Sequence, residues 1–464
     1  MLTSCLGLDI LFAILDPGVE VITNEGAGLP EGTNGVYNID FTKADKVKDV
    51  TDQGYYLDGC PTVGKVPVLV IPIEFSDSTA KSKGYTIENI ERAFSGDDTD
   101  YYSVEEYYYI SSYGRLDLDF TVIDSWFKPE FSSKHYEKLT DVDEFGDEYS
   151  IGDQIIMDEV LSHLESIMDL SIYDSDKNGI IDAVVMINTL TINDMNDFYW
   201  AYRFWNTITD DDGNKHKYDG VSANDYLWMS YSFMHESYDT EDNPVYTNKS
   251  VMNTYTYIHE FGHILGADDY YDAEYLSEAT PLEGCDIMDE MPGDHNPYTK
   301  FNYGWITSSR LITTDTSVTL TLESFAKSGD SIIIANNWDE SLGVYQEYYV
   351  IVYYTNNLLN GGKYGYFARD GIIVYHVNAS LYYYELDGKT VYDVYNNNTA
   401  YMGIFGTGTK DNLIEFVKSA EDNFTYVKGD SLPTQTDDLG NKLCYSFTVD
   451  SLTNDSATLT FTKR

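Results

Sequence analysis

The sequence predicts a chain of two folded parts that differ in class. Residues 63–310 read as an α/β (α+β) domain and residues 311–464 as an all-β, sandwich-like domain, with residues 1–62 as an N-terminal leader or short pro-segment. Three observations carry this reading. Apolar runs rich in Val and Ile alternate with helix-periodic stretches as far as residue 265, the texture of strands interleaved with helices. From Leu311 onward that texture gives way to short runs of period two. A chain of 464 residues also exceeds what one ordinary hydrophobic core organises.

The elements follow in order. Residues 1–62 carry Gly, Asn, Asp and Thr with weak periodicity, which reads as an extended leader. Lys65–Phe75 is a largely apolar run, the pattern of a buried central strand. Ile87–Phe94 and Ser103–Ser112 have helical spacing, and Arg115–Val122 alternates like a strand. Asp153–Met168 is expected as an amphipathic helix with Ile155, Ile156, Val160, Leu161, Leu164 and Ile167 on its apolar face. Ala183–Ile187 reads as a strand, Asp211–Asn214 as a turn between strands, and Asp225–Phe233 as a further strand. A helix over about residues 250–265 comes next. In the C-terminal part Ser317–Glu323, Tyr348–Tyr354 and Ala457–Thr462 alternate as sandwich strands, and no internal repeat is evident.

The chemistry concentrates in His259-Glu260-Phe261-Gly262-His263-Ile264-Leu265-Gly266-Ala267-Asp268-Asp269. Histidines four residues apart stack on one helix face, where both imidazoles reach a single tetrahedral zinc. Glu260 is directed to the open coordination position, where a carboxylate takes a proton from water whose pKa the metal has lowered to about 7. Gly266 suits a left-handed residue that ends the helix. The turn it permits brings Asp269 back under the metal as third ligand. Glu274, Glu278 and Glu283 stand as rivals, for an arrangement that takes this ligand from a second helix downstream.

The stretch His259–Asp272, HEFGHILGADDYYD, resembles the active-site signature of the immune inhibitor A family of secreted metalloendopeptidases. Val66–Asp77 resembles that family's first core strand, Ser103–Gly114 its helix-to-strand junction, and Tyr173–Asp182 its acidic loop. Lys300–Trp305 and Asp370–Val377 extend the resemblance, which covers residues 65–380. It implies a metzincin-like zinc protease catalytic domain, with Met288 in Cys285-Asp-Ile-Met-Asp289 as the methionine turn beneath the metal. The family commonly has Pro-Asp where this chain has Asp268-Asp269, so the third ligand stands between two adjacent acids.

A second metal site is readable in the acidic loop. Asp174, Asp176, Asn178 and Asp182, with the Ile180 carbonyl, place oxygen donors at alternate positions around Gly179, a set that suits calcium. An EF-hand is excluded, because the position that needs a bidentate Glu is Val185. The expected role is structural.

Composition sets the outer bounds. A formal charge of −50, from 78 acids against 28 bases, excludes nucleic acid and anionic membrane as partners and favours calcium and cationic substrates. Four cysteines, far apart, make neither a disulfide scaffold nor a cysteine-zinc site. No apolar run approaches the roughly 18 residues that span a bilayer. Leu2-Thr-Ser-Cys5 has the pattern of a lipoprotein cleavage box, which makes Cys5 a candidate lipid anchor. Cys60 is a candidate latency ligand to the zinc or else a structural cysteine, and His235 and His295 are candidate transition-state stabilisers.

These readings converge on a secreted or cell-surface, monomeric zinc endopeptidase with protein or peptide substrates. The substrate is expected to add as a strand along a sheet edge, with Asp225–Phe233 the candidate edge. Two rivals remain: a catalytically silent binding protein of the same fold, and a self-processing adhesin whose substrate is its own leader.

Overall fold

The computed structural model describes the chain apart from residues 1–20, 45–58, 98, 100, 143–147, 192–197, 211–212, 235, 239–243, 247–251, 272–280, 290–291, 387–388, 399–411 and 421–422. The protein is mixed α/β, with several sheets and few helices. It forms two compact units. One comprises Asp58–Tyr109 and Gly114–Gly266; the other comprises Ile110–Tyr113 and Ala267–Arg464 together with the described residues 21–44. Among the described residues no helix is long and apolar enough to cross a membrane.

The first unit is built on a five-stranded sheet. Its elements in chain order are β1 (Gly64–Ile73), α1 (Ile87–Ser95), α2 (Val104–Ser111), β2 (Leu116–Val122), α3 (Gly152–Leu164), β3 (Val184–Asn188), β4 (Tyr202–Trp205), β5 (Asp225–Ser230) and α4 (Tyr255–Ile264). The strand order is β2-β1-β3-β5-β4, with four parallel strands and β4 antiparallel at one edge. Val184 pairs with Leu69 on one side and Tyr226 on the other, which locks β3 into the centre. A parallel strand covered on both faces needs a continuous apolar run, and β3 is buried at every residue. Helix α1 starts where the Thr86 hydroxyl accepts the Asn89 N–H at 3.2 Å, and it buries Ile90, Ala93 and Phe94.

Three expectations change here. Asp225–Phe233 is not an edge: β5 is buried at all six residues between β3 and β4, and its last turn becomes a 3-10 segment, Tyr231–Met234. The edge beside β5 is β4, whose four residues are too few for a period to register; β2 forms the other edge. Helix α3 closes at Leu164, so Ile167 lies in the following turn and is 66% exposed. Helix α4, which carries His259 and His263, is shorter than the stretch 250–265, because Asn253 stands outside it. Its side chain accepts the Tyr255 N–H at 3.0 Å, while its own N–H donates to the Met234 carbonyl at 2.7 Å.

The second unit holds a β-sandwich. After α5 (Pro297–Asn302) come β6 (Ser308–Ile312), β7 (Ser317–Glu323), β8 (Ser331–Ile334), β9 (Glu347–Tyr354), β10 (Gly371–Asn378), β11 (Ile414–Phe416), β12 (Tyr445–Leu452) and β13 (Ser456–Lys463). A six-stranded sheet runs Val36–Asp40, β6, β8, β9, β10, β11, and a three-stranded sheet runs β7, β13, β12. Ile332, Ile351 and Val374 of the larger sheet share one buried core with Phe447, Val449, Leu459 and Phe461 of the smaller. Strand β13 alternates buried and partly exposed, as the run Ala457–Thr462 predicts, and β12 beside it does the same over most of its length. Strand β9 does not: all but its first residue are buried, so both of its faces are covered. Val36–Asp40, in the stretch read as leader, pairs antiparallel with β6, Asn38 opposite Arg310. Sequence texture changes at residue 311, whereas the compact unit begins at Ala267.

Candidate active site

Helix α4 is anchored on its apolar side before it presents any chemistry. Tyr257, Ile258, Phe261 and Ile264 are buried, and the Tyr257 hydroxyl donates to the Ser230 carbonyl at the end of β5 at 2.8 Å. The Tyr108 hydroxyl donates to the Ile258 carbonyl at 2.6 Å, and Phe261 packs on Phe120 with ring centroids 5.6 Å apart. These contacts fix the rotation of the helix about its axis. They therefore fix where His259 and His263 point: the two rings lie 5.0 Å apart at 87°. His263 and Glu260 are buried, and His259 is partly exposed.

The chain then turns at Gly266, whose φ is +100°, a left-handed value that a side chain disfavours; its N–H caps the His263 carbonyl at 3.1 Å. Three residues later Asp269 joins the histidines, and one ligand atom from each of His259, His263 and Asp269 lies within 4.8 Å of the others. Neither Asp268 nor Glu283 belongs to this group, and Glu274 and Glu278 lie outside the described residues. Two imidazole nitrogens and one carboxylate oxygen, converging in this way, form a donor set that fits a zinc ion with one position left open.

Behind Asp269 runs a closed hydrogen-bonded circuit. The Tyr270 N–H donates to the Met288 carbonyl at 2.7 Å, and the Met288 N–H donates to Asp286 Oδ1 at 2.8 Å. Asp286 Oδ2 accepts both the backbone and the side-chain N–H of Asn296, at 2.7 and 2.9 Å. Asn296 Oδ1 caps the Thr299 N–H at the start of α5, at 3.0 Å, and the Thr299 hydroxyl lies 2.6 Å from the Tyr270 hydroxyl. Met288 is fully buried. Burial pushes the Asp286 carboxyl up to about 7, although these N–H donors pull it down. The methionine is legible from its motif; Asp286 and Asn296 are not. The signal that could have found them is Asn296-Pro297, a helix-start signature ten residues after Asp286.

The acidic loop also converges. Ligand atoms of Asp174, Asp176 and Asp182 lie within 4.8 Å of one another, around Gly179 at φ +90° and Lys177 at φ +61°. Asp174 accepts the N–H groups of Asn178 and Gly179 at 3.0 and 2.9 Å, and Asp182 accepts that of Ser175 at 3.0 Å. Asn178 turns its own side-chain oxygen to the Ile180 N–H at 2.8 Å. Burial, with Asp176 and Asp174 close by, pushes the Asp182 carboxyl up to about 6.

Other candidates fall elsewhere. Cys60 is buried, and its thiol is pushed well up by burial and by the carboxylates of Asp182, Asp225 and Asp176. Asp182 and Asp176 belong to the acidic loop and Asp225 to β5, and all three oppose the thiolate that a latency ligand requires. Cys285 and Cys444 are likewise free thiols, while Cys5 lies outside the described residues. His295 is buried beside Tyr303 and Trp305, with its Nδ1 3.9 Å from Asp286 Oδ1. His235 lies outside the described residues. No family model matches the chain, and no curated protein matches it.

Proposed function

We propose that this chain is a secreted or cell-surface zinc-dependent endopeptidase, with a metzincin-like catalytic domain, that hydrolyses peptide bonds of extracellular proteins. The observation that carries the reading is the convergence of His259, His263 and Asp269 within 4.8 Å, with Glu260 buried on the same helix. His259, His263 and Asp269 would hold the ion. Bound there, zinc would supply Lewis-acid chemistry to a water and to the scissile carbonyl. Glu260 takes the proton from the attacking water and passes it to the leaving amine. Its burial strengthens this role, since a carboxylate screened from bulk water has fewer competing hydrogen bonds.

Substrate recognition follows from the sheet. An extended peptide adds to an edge strand through main-chain hydrogen bonds, and β4 is the antiparallel edge beside β5, on which α4 rests. Peptides with Lys or Arg are favoured by the field of a chain with net charge −50. The acidic loop is read as a calcium site that holds the end of α3 to the start of β3 through Asp174, Asp176, Asn178, the Ile180 carbonyl and Asp182. The experiment is cleavage of casein by the purified chain with zinc, with a zinc chelator, and after zinc is restored. Restored cleavage supports the reading; no cleavage of casein or of the chain's own leader leaves a binding protein of this fold in its place.

A further inference from the structure

A third group of converging ligand atoms lies in the β-sandwich, outside both sites described so far. Glu347, His376 and Asp438 each offer an atom within 4.8 Å of the others. The strands dictate this convergence. His376 on β10 sits opposite Tyr349 on β9 and opposite Glu415 on β11, and Glu347 precedes Tyr349 by two residues, on the same face of the sheet. Three neighbouring strands thus place Glu347, His376 and Glu415 side by side. Asp438 comes down onto them from a turn closed by the Gly440 N–H on the Asp437 carbonyl at 2.8 Å.

We propose that Glu347, His376 and Asp438, with Glu415 beside them, form a transition-metal site that staples this turn to the sheet. The ring of His376 is held in place by stacking on Tyr349, with centroids 4.5 Å apart and planes at 17°. Its Nε2 lies 2.9 Å from Glu347 and its Nδ1 3.3 Å from Glu415, so both nitrogens face carboxylates. Each carboxylate is also oriented by an amide. The Asp438 N–H donates to Glu347 at 3.1 Å, the Asn412 side chain to Glu415 at 3.0 Å, and the Asn378 side chain to Asp438. Such outer hydrogen bonds are what hold metal-binding carboxylates in position. Three carboxylates around one neutral imidazole leave a negative excess, and a divalent cation bound by the ring offsets it. The imidazole nitrogen selects zinc and its first-row neighbours over calcium or magnesium. Asp438 is exposed, so an ion reaches the cluster from solvent.

The test uses the full chain and zinc alone as probe. In a background carrying His259→Ala and His263→Ala, zinc is counted by mass spectrometry after gel filtration. One equivalent retained there, and lost on adding His376→Asn or Asp438→Asn, supports the site. No zinc in that background, or zinc untouched by either added substitution, overturns it and leaves an ion-paired cluster. Asp438→Asn in the otherwise unaltered chain guards against misfolding, because its side chain lies in an exposed turn. There zinc should fall from two equivalents to one, with affinity for the lost ion weakened at least about tenfold and casein cleavage unchanged. A fall to one equivalent with cleavage abolished also overturns the proposal, since the ion lost would then be the one at His259 and His263.

Discussion

Removing calcium should soften the first unit by an amount that the geometry of the acidic loop sets. Asp174, Asp176 and Asp182 bring carboxylate oxygens within 4.8 Å of one another. At that separation two unit charges repel by about 0.9 kcal/mol in water and by about 3.5 kcal/mol at the effective dielectric of a protein surface. Asp176 is exposed and Asp174 half-buried, while Asp182 is buried, so the lower figure sets a floor for the set. Three pairs then cost roughly 3 kcal/mol that a bound cation relieves. For a unit of this size that corresponds to a fall in Tm of roughly 6–12 °C on calcium removal. The assay is calorimetry with zinc held constant by a zinc buffer, in excess calcium and in a calcium-selective chelator. Asp176→Ala should melt low in both conditions, because linkage requires binding to the folded state. It should also be nicked near Lys177, whose φ of +61° depends on the closed loop. An unchanged Tm between chelator and excess calcium would refute the site and leave the loop a solvated turn held by its own N–H groups.

Three further predictions use the remaining geometry. Glu260→Ala should leave zinc bound while casein hydrolysis falls by at least about a hundredfold, the range a general base supplies; near-normal turnover with full zinc content contradicts the mechanism. Asp269→Asn should release zinc on dialysis while Glu283→Gln retains it, as metal analysis of both variants will show; the reverse pattern moves the third ligand to Glu283. Asp153 on α3 is fully buried, where it accepts the Tyr202 hydroxyl at 3.0 Å and the Tyr226 hydroxyl, and burial pushes its carboxyl up to about 6 from 3.8. The folded state holds this proton more tightly than the unfolded chain, so its contribution is full below pH 3.8 and is lost as pH rises through about 6. Urea denaturation should therefore show Asp153→Asn gaining on the native chain by up to roughly 3 kcal/mol between pH 4 and pH 7, and a constant gap would exclude this linkage.

Much of the architecture was legible because the physics was local. The run Lys65–Phe75 reads as a buried strand, and Gly64–Ile73 is one, buried through most of its length, since a parallel strand covered on both faces has no polar face to show. His259 and His263 are neighbours from helix geometry alone, and Gly266 turns left-handed as its position after the helix predicts. What the sequence hid was pairing over long separation. Val36–Asp40 looks irregular by itself, yet it completes a sheet with Ser308–Ile312, far along the chain. Tyr202–Trp205 is too short to show a period, so its place at the edge went to Asp225–Phe233, whose richness in aromatic residues reflects burial in the sheet.

The same distinction explains which functional residues a sequence reveals. Proposed metal ligands on one helix and its following turn keep fixed spacings, so His259 and His263 can be read directly and Asp269 stands among a few acids close behind them. Ligands drawn from separate strands keep no spacing at all: Glu347, His376, Glu415 and Asp438 meet only because β9, β10 and β11 pair in register beneath one turn. The circuit behind Asp269 belongs to the second kind. Asp286 and Asn296 stand ten residues apart, and they matter because one carboxylate holds the Met288 N–H and the head of α5 together. Asp286→Ala would remove the acceptor for three N–H groups at once and free the carbonyl that holds Tyr270, next to Asp269. If that circuit positions the ligand, zinc affinity should fall in Asp286→Ala and recover largely in Asp286→Asn, which keeps one acceptor oxygen. Equal zinc affinity in folded Asp286→Ala and in the native chain would make the circuit a packing feature with no bearing on the metal.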